Sequence, residues 1–169
     1  MIEVRTGELT DAEVSALLRP VCADWSAVTP SMRRLELAAG AELAEQCRRL
    51  GELPVGSAVI TGGGDLSAEF MVHVVVRSRE EPVSPATVRR ALENGLRRLE
   101  EWGIESVALP PLGTGAGNLD AEESASVVAP ILLDHLRTAG RPLRVLIVCE
   151  NEYERDVFER ALSVAASQG

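Results

Sequence analysis

Apolar and polar positions along this chain change period repeatedly, and the changes divide it into short strands and longer helices. Ile2–Arg5 alternates over a few residues and ends at Gly7, the mark of a short strand. Thr10 or Asp11 is placed to cap a helix over roughly Asp11–Leu18, which must stop before Pro20 because proline disfavours helix in its predecessor. Val21–Thr29 follows neither period. Thr29-Pro30 is a helix start, a capping hydroxyl followed by proline in the first turn. Met32, Leu35, Leu37 and Ala38 make its imperfect apolar face until Gly40 interrupts it. A second helix runs over Ala41–Leu50, with Leu43, Cys47 and Leu50 on one side and Gly51 closing it. Gly56–Thr61 reads as a strand, Gly62-Gly63-Gly64-Asp65 as a turn, and Phe70–Val76 as a β-branched strand buried on both faces. Ser84-Pro85 opens an amphipathic helix that reaches about Trp102, with Val88, Ala91, Leu92, Leu96 and Leu99 aligned. A strand at Ser106–Leu109, a loop at Pro110–Asn118, a helix at about Asp120–Thr138, a strand at Leu143–Cys149 and a helix at Tyr153–Ala166 complete the order.

Such alternation predicts an α/β fold: a largely parallel or mixed central sheet with helices on both faces. No repeat, low-complexity tract or linker divides the 169 residues, so one domain over 1–169 is expected. The chain has no apolar run of about 18 residues and Met1–Arg5 lacks a signal-peptide core, which points to the cytoplasm and away from membranes.

Charge narrows the chemistry. The formal net charge of −9 argues against a nucleic-acid partner, since such proteins show a basic face. A phosphate pocket built from backbone N–H groups needs no net positive charge. All 17 basic residues are arginine, which removes Schiff-base chemistry and the phosphate-loop lysine. Cys22, Cys47 and Cys149 are far apart and form no metal-ligand spacing, so no metal or cofactor is expected. Cys47 and Cys149 read as small core residues. His73, inside an apolar strand, reads as a core histidine, and His135, late in a helix, as a surface one.

Gly113-Thr114-Gly115-Ala116-Gly117 is the strongest candidate for ligand chemistry. In sheets of this kind ligands bind at the carboxyl ends of strands. Three glycines in five residues let the backbone pass close to a ligand and present amide hydrogens to a diphosphate. Asp120, Glu122 and Glu123 already load the following helix start with negative charge, so the loop amides would have to carry such binding. A tight strand-to-helix connection explains the same glycines equally well. The spacing matches neither the dinucleotide fingerprint nor the phosphate loop.

With these elements in order, the chain resembles the macro-domain family over nearly its full length. Gly7-Glu8-Leu9-Thr10 is similar to the family's Gly-Asp-Ile-Thr. Val55–Gly62 and Met71-Val72-His73 resemble two of its strands, and Val107–Gly115 resembles its strand and ligand loop. The resemblance implies a three-layer α/β/α fold with a mixed sheet, and ADP-ribose as ligand. It implies that Glu8 and Leu9 hold the adenine end, and that Gly113, Thr114, Gly115, Ala116, Gly117 and Asn118 wrap the diphosphate and distal ribose. It breaks at the family's Asn-Ala-Ala-Asn segment, where Arg19-Pro20-Val21-Cys22 stands, and at its glycine-rich loop, where Val28-Thr29-Pro30-Ser31-Met32 stands. Each lost polar partner costs about 1–3 kcal/mol of ligand binding. Three readings stay open: a binding module for ADP-ribose, a related nucleotide or an ADP-ribosylated protein; a hydrolase of ADP-ribose derivatives using other acids, with Glu8 and Asp24 near the cleft; or a scaffold acting through protein partners. Catalytic residues and oligomeric state are unassigned. Cys22 is either a buried spacer or a thiol in the cleft, and Trp25 either fills the vacated site or stacks on a base.

Overall fold

The computed structural model describes residues 1–169. In chain order the elements are β1 (Ile2–Thr6), a single 3-10 turn (Leu9–Asp11), β2 (Ala16–Cys22), α1 (Pro30–Ala39), α2 (Ala41–Arg49), β3 (Ala58–Gly62), β4 (Phe70–Arg77), α3 (Pro85–Glu101), β5 (Ser106–Leu109), α4 (Ala121–Thr138), β6 (Arg144–Cys149) and α5 (Glu152–Gln168). The strands form one sheet in the order β1-β6-β5-β2-β4-β3, with β3 antiparallel on β4 and every other pair parallel. The sheet is therefore mixed, as expected. One face carries α3, α4 and α5 over a core that includes Leu18, Val72, Leu92, Leu109, Leu132 and Phe158. The other carries α1 and α2 over a smaller core that includes Leu17, Val21, Trp25, Leu35, Cys47 and Met71. No helix is long and apolar enough to cross a membrane.

Caps follow the side-chain chemistry. Thr29 Oγ1 accepts from Met32 N at 3.2 Å at the start of α1. Ser84 with Thr87, and Asp120 with Glu123, make reciprocal capping boxes on α3 and α4. Gly62–Asp65 turns as expected, and a Cβ on Gly63 would lie 1.9 Å from Ala68 O.

The expected helix over Asp11–Leu18 is not formed. Only Leu9–Asp11 turns helically, and Ala16–Cys22 is a strand in the middle of the sheet, all seven residues buried. Arg19 and Pro20 disguise it. Pro20 is tolerated because pairing of β2 with β5 has ended at Leu17, so the Pro20 level is paired on the β4 side alone. Arg19 is buried yet partnered. It faces His73 across the β2–β4 ladder, and its Nε donates to His73 Nδ1 at 2.9 Å.

That contact fixes a chain of hydrogen bonds beneath α1 and α2. His73 Nδ1 accepts from Arg19, so the ring proton sits on Nε2 and is donated to Thr61 Oγ1 at 2.8 Å, whose hydroxyl donates to Gly62 O at 2.8 Å. Cys47 Sγ lies 4.0 Å from the Arg19 guanidinium. Burial, with the Arg19 charge beside it, holds the His73 imidazolium pKa well below its ordinary value. Burial likewise lowers the Arg19 pKa and raises that of the Cys47 thiol, and it pushes Cys149 up to about 12. His73, Cys47 and Cys149 are thus core residues, as expected. His135 is half-buried rather than a free surface residue, and its Nε2 meets Arg141 O at 2.8 Å.

Candidate functional site

All parallel strands present their carboxyl ends at one edge of the sheet. Gly7-Glu8 follows β1, Glu150 follows β6, Pro110–Asn118 follows β5, Ala23–Thr29 follows β2 and Ser78–Val83 follows β4. Three adjoining cavities lie along this edge, the position in which such sheets bind ligands.

The first, about 540 Å³, lies over β1 and β6 and is lined by Glu8, Leu9, Met32, Leu35, Pro110 and Glu150 among others. The second, about 270 Å³, is lined by Thr29, Ser31, Arg34, Gly113, Thr114 and Gly115, with Glu150 and Glu154 on one side. The third, about 550 Å³, lies over β2 and β4, where Cys22, Asp24, Arg77, Ala116, Gly117 and Asn118 meet. All eight residues expected to hold a ligand line these cavities, Glu8 and Leu9 the first, Gly113–Gly115 the second and Ala116–Asn118 the third.

The glycine loop has the geometry its composition implies. Gly113, Gly115 and Gly117 all have positive φ (79°, 125° and 78°). A Cβ on Gly113 would come within 2.6 Å of Val88 on α3, so the loop is seated on the core at that end. Leu119 N donates to Gly113 O and Asn118 N to Gly115 O, which closes the turn. The amides of Thr114, Ala116 and Gly117 go to no backbone carbonyl and stay available as donors.

The facing loop is built differently. Trp25 is a non-glycine residue at φ 72°, a conformation bulky side chains rarely adopt. Its ring turns inward, edge-on to His73 at 5.3 Å between centroids, and its Nε1 donates to Gly51 O at 2.8 Å. It neither fills the groove nor stands where a base would stack; it is part of the core beneath the loop. Pro30 has no N–H, Thr29 Oγ1 takes Met32 N and Thr29 O takes Arg33 N, so Thr29 and Ser31 keep the uncommitted amides of that helix start. The two loops touch where a Cβ on Gly115 would lie 3.0 Å from Thr29 Cγ2.

Cys22 is 6% exposed at the floor of the third cavity, and Arg77 Nε donates to its sulfur at 2.9 Å. Asp24 Oδ1 accepts from both the hydroxyl and the amide of Ser26, at 2.6 and 3.0 Å, which holds its carboxyl below the usual range. A general base works best with a pKa near the working pH, so this carboxylate is poorly matched to that role. Glu8 is exposed at the rim, with no side-chain hydrogen bond in the first turn it precedes. No group of three His, Cys, Asp or Glu side chains is arranged to hold a metal.

Sequence reasoning missed Arg34, Arg77, Glu150 and Glu154. Arg34 had a legible signal, one turn after a helix start that faces the glycine loop. The other three lie at strand ends or helix starts whose approach only the folded sheet reveals.

The family model described as Macro domain matches residues 33–128, more than half of the chain. The chain belongs to the macro domain family. This macro domain is 30% identical over 170 residues to an O-acetyl-ADP-ribose deacetylase of Enterobacter sp. (strain 638), covering 95% of this chain and 93% of the relative. It is 31% identical over 171 residues to an O-acetyl-ADP-ribose deacetylase of Klebsiella pneumoniae (strain 342), covering 95% of each. Among solved structures it superposes on a variant of the Oceanobacillus iheyensis macrodomain with a TM-score of 0.90 at 19% identity, over 99% of this chain and 94% of that one. A Trypanosoma brucei macrodomain in complex with ADP gives 0.85 at 19% identity, over 95% and 68%. The family match begins at Arg33, directly after the Val28–Met32 stretch.

Proposed function

We propose that this macro domain is a binding module for ADP-ribose or a related nucleotide, in which the Asn- and Gly-rich catalytic loop of the family has been replaced. The carrying observation is the glycine loop, whose Thr114, Ala116 and Gly117 amides go to no backbone carbonyl and whose residues line the cavities at the ends of the parallel strands. Amides in that setting take a diphosphate without side-chain charge, which suits a chain of net charge −9. Glu8 and Leu9 then receive the base at one end of the groove, and Ala116–Asn118 face the distal sugar at the other. The ligand is free in the cytoplasm or carried on an ADP-ribosylated protein.

Hydrolysis is the second reading, favoured by the deacetylase names of the relatives. Against it, Arg19 and Cys22 stand where the family carries its asparagines, Pro30 removes an amide, and Asp24 is held below the usual carboxylate range. Trp25 packs in the core, so it supports neither the scaffold reading by filling the groove nor the binding reading by stacking on a base.

Titration calorimetry with ADP-ribose tests the proposal. Micromolar binding, abolished by Gly115→Glu, is the expected result. No heat up to millimolar ligand sinks the binding module, and turnover of O-acetyl-ADP-ribose above the uncatalysed rate sinks the claim that catalysis is lost.

A further inference from the structure

Arg34 occupies a position that the glycine loop alone does not explain. It lines both the first and the second cavity and so stands at the seam between the base end and the phosphate end of the groove. Every ion pair of the protein is made by another arginine. The single hydrogen bond of Arg34 goes to Ser31 Oγ at 3.2 Å, one turn back, which draws the guanidinium toward the helix start facing Gly115. That helix start lacks the amide of Pro30, so a side-chain cation stands where one backbone donor is missing.

We propose that Arg34 is the diphosphate clamp of this groove, and that the recognised part of the ligand is a nucleoside diphosphate, with or without a distal sugar. The proposal rests on the groove being a nucleotide site. A guanidinium presents paired donors to phosphate oxygens in a planar fork, which a single amide cannot do. The surrounding charge makes the clamp necessary. Glu150 lines both cavities and Glu154 the second. Glu154 Oε1 is engaged by the Glu150 amide at 2.8 Å, so one carboxylate is turned toward its own helix start, whereas the Glu150 side chain faces the groove without a hydrogen-bond partner. A diphosphate entering here meets two negative groups, and Arg34 is the one arginine lining these two cavities. Its removal should therefore weaken binding more than the loss of an ordinary surface cation.

Calorimetry with ADP as the probe, on the full chain, reads this directly. Arg34→Gln should weaken ADP at least about tenfold, the equivalent of one charge-assisted hydrogen bond. Arg34→Lys should recover part of that loss, and Glu150→Gln should tighten ADP a few-fold. Added salt should weaken wild type more steeply than Arg34→Gln, because the exposed charge is screened. Arg34 is exposed, so equal thermal midpoints would show that the variant folds. A change under about twofold in Arg34→Gln overturns the clamp while leaving the groove reading intact, provided Gly115→Glu still abolishes ADP-ribose binding. If wild type ignores ADP but takes ADP-ribose, the clamp and its ligand class fail and the binding module stands. If it takes neither, both fail.

Discussion

Two loops face each other across the groove, one built from small residues at positive φ and the other anchored by its side chains. Gly113–Asn118 closes its turn with two internal bonds, and the amides of Gly113, Thr114, Gly115, Ala116 and Gly117 go to no backbone carbonyl. Ala23–Met32 directs its groups inward: Trp25 donates to Gly51 O, Asp24 binds Ser26, and Thr29 caps α1. The difference lies in the side chains and not in the backbone donors, since the amides of Ala27, Val28, Thr29 and Ser31 likewise go to no backbone carbonyl. The contrast leaves one loop lining the cavities through its glycines, while the other sends Trp25 into the core.

The largest effect that would break this contrast is at Trp25. Trp25→Ala should cost about 3–5 kcal/mol in urea unfolding, because it empties a core position and removes the hydrogen bond to Gly51 O. A loss under 1 kcal/mol would mean that this loop is not part of the core. On the other side, Gly113→Ala should cost about 2–3 kcal/mol, from a positive φ and a Cβ driven into Val88. Gly117→Ala shares the strained φ but meets nothing within 4 Å, so about 1 kcal/mol is expected. Equal costs at the two glycines would contradict the seating of the loop at its first residue alone.

The polar base beneath the Ala23–Thr29 loop adds a pH signature. His73 has a folded pKa well below its unfolded value near 6.5, so between the two the unfolded chain binds the extra proton. Stability from this residue is complete above about pH 6.5 and is lost as pH falls below it, by at most about 1.4 kcal/mol per pH unit. Urea midpoints at pH 7.5 and 5.5 measure it, and a His73→Gln variant should flatten the slope while lowering the overall stability. The smallest effect expected is at the cap: Thr29→Ala should cost about 1 kcal/mol, seen as a small drop in thermal midpoint.

Most elements were legible because their punctuation is local. Thr29-Pro30, Ser84-Pro85 and Asp120 mark helix starts by cap chemistry, and Phe70–Val76 marks a buried strand by its unbroken β-branched run. β2 was not legible. Its apolar run carries an arginine and a proline, and only partners from β4 and the shortness of β5 make either acceptable there. The glycine loop was legible from composition alone. The arginines and glutamates around it were not, because Arg34 and Glu150 meet in one cavity, and Arg77 meets Ala116–Asn118 in another, only when the strands align their ends. The inward turn of Trp25 was likewise hidden, since a tryptophan in an aperiodic stretch carries no indication of which side it faces.

Strand polarity also decides how the protein can be held. β1 ends at the groove, so Met1 lies at the opposite rim, where its amine donates to Leu143 O at 2.9 Å. α5 leaves the groove side at Glu152 and runs back to Gly169, which packs beside Arg137 at the far end of α4. Both ends of the chain point away from the cavities. Anchored to a sensor surface or fused to another protein at either terminus, the molecule presents its open face outward, with the approach to the groove unobstructed.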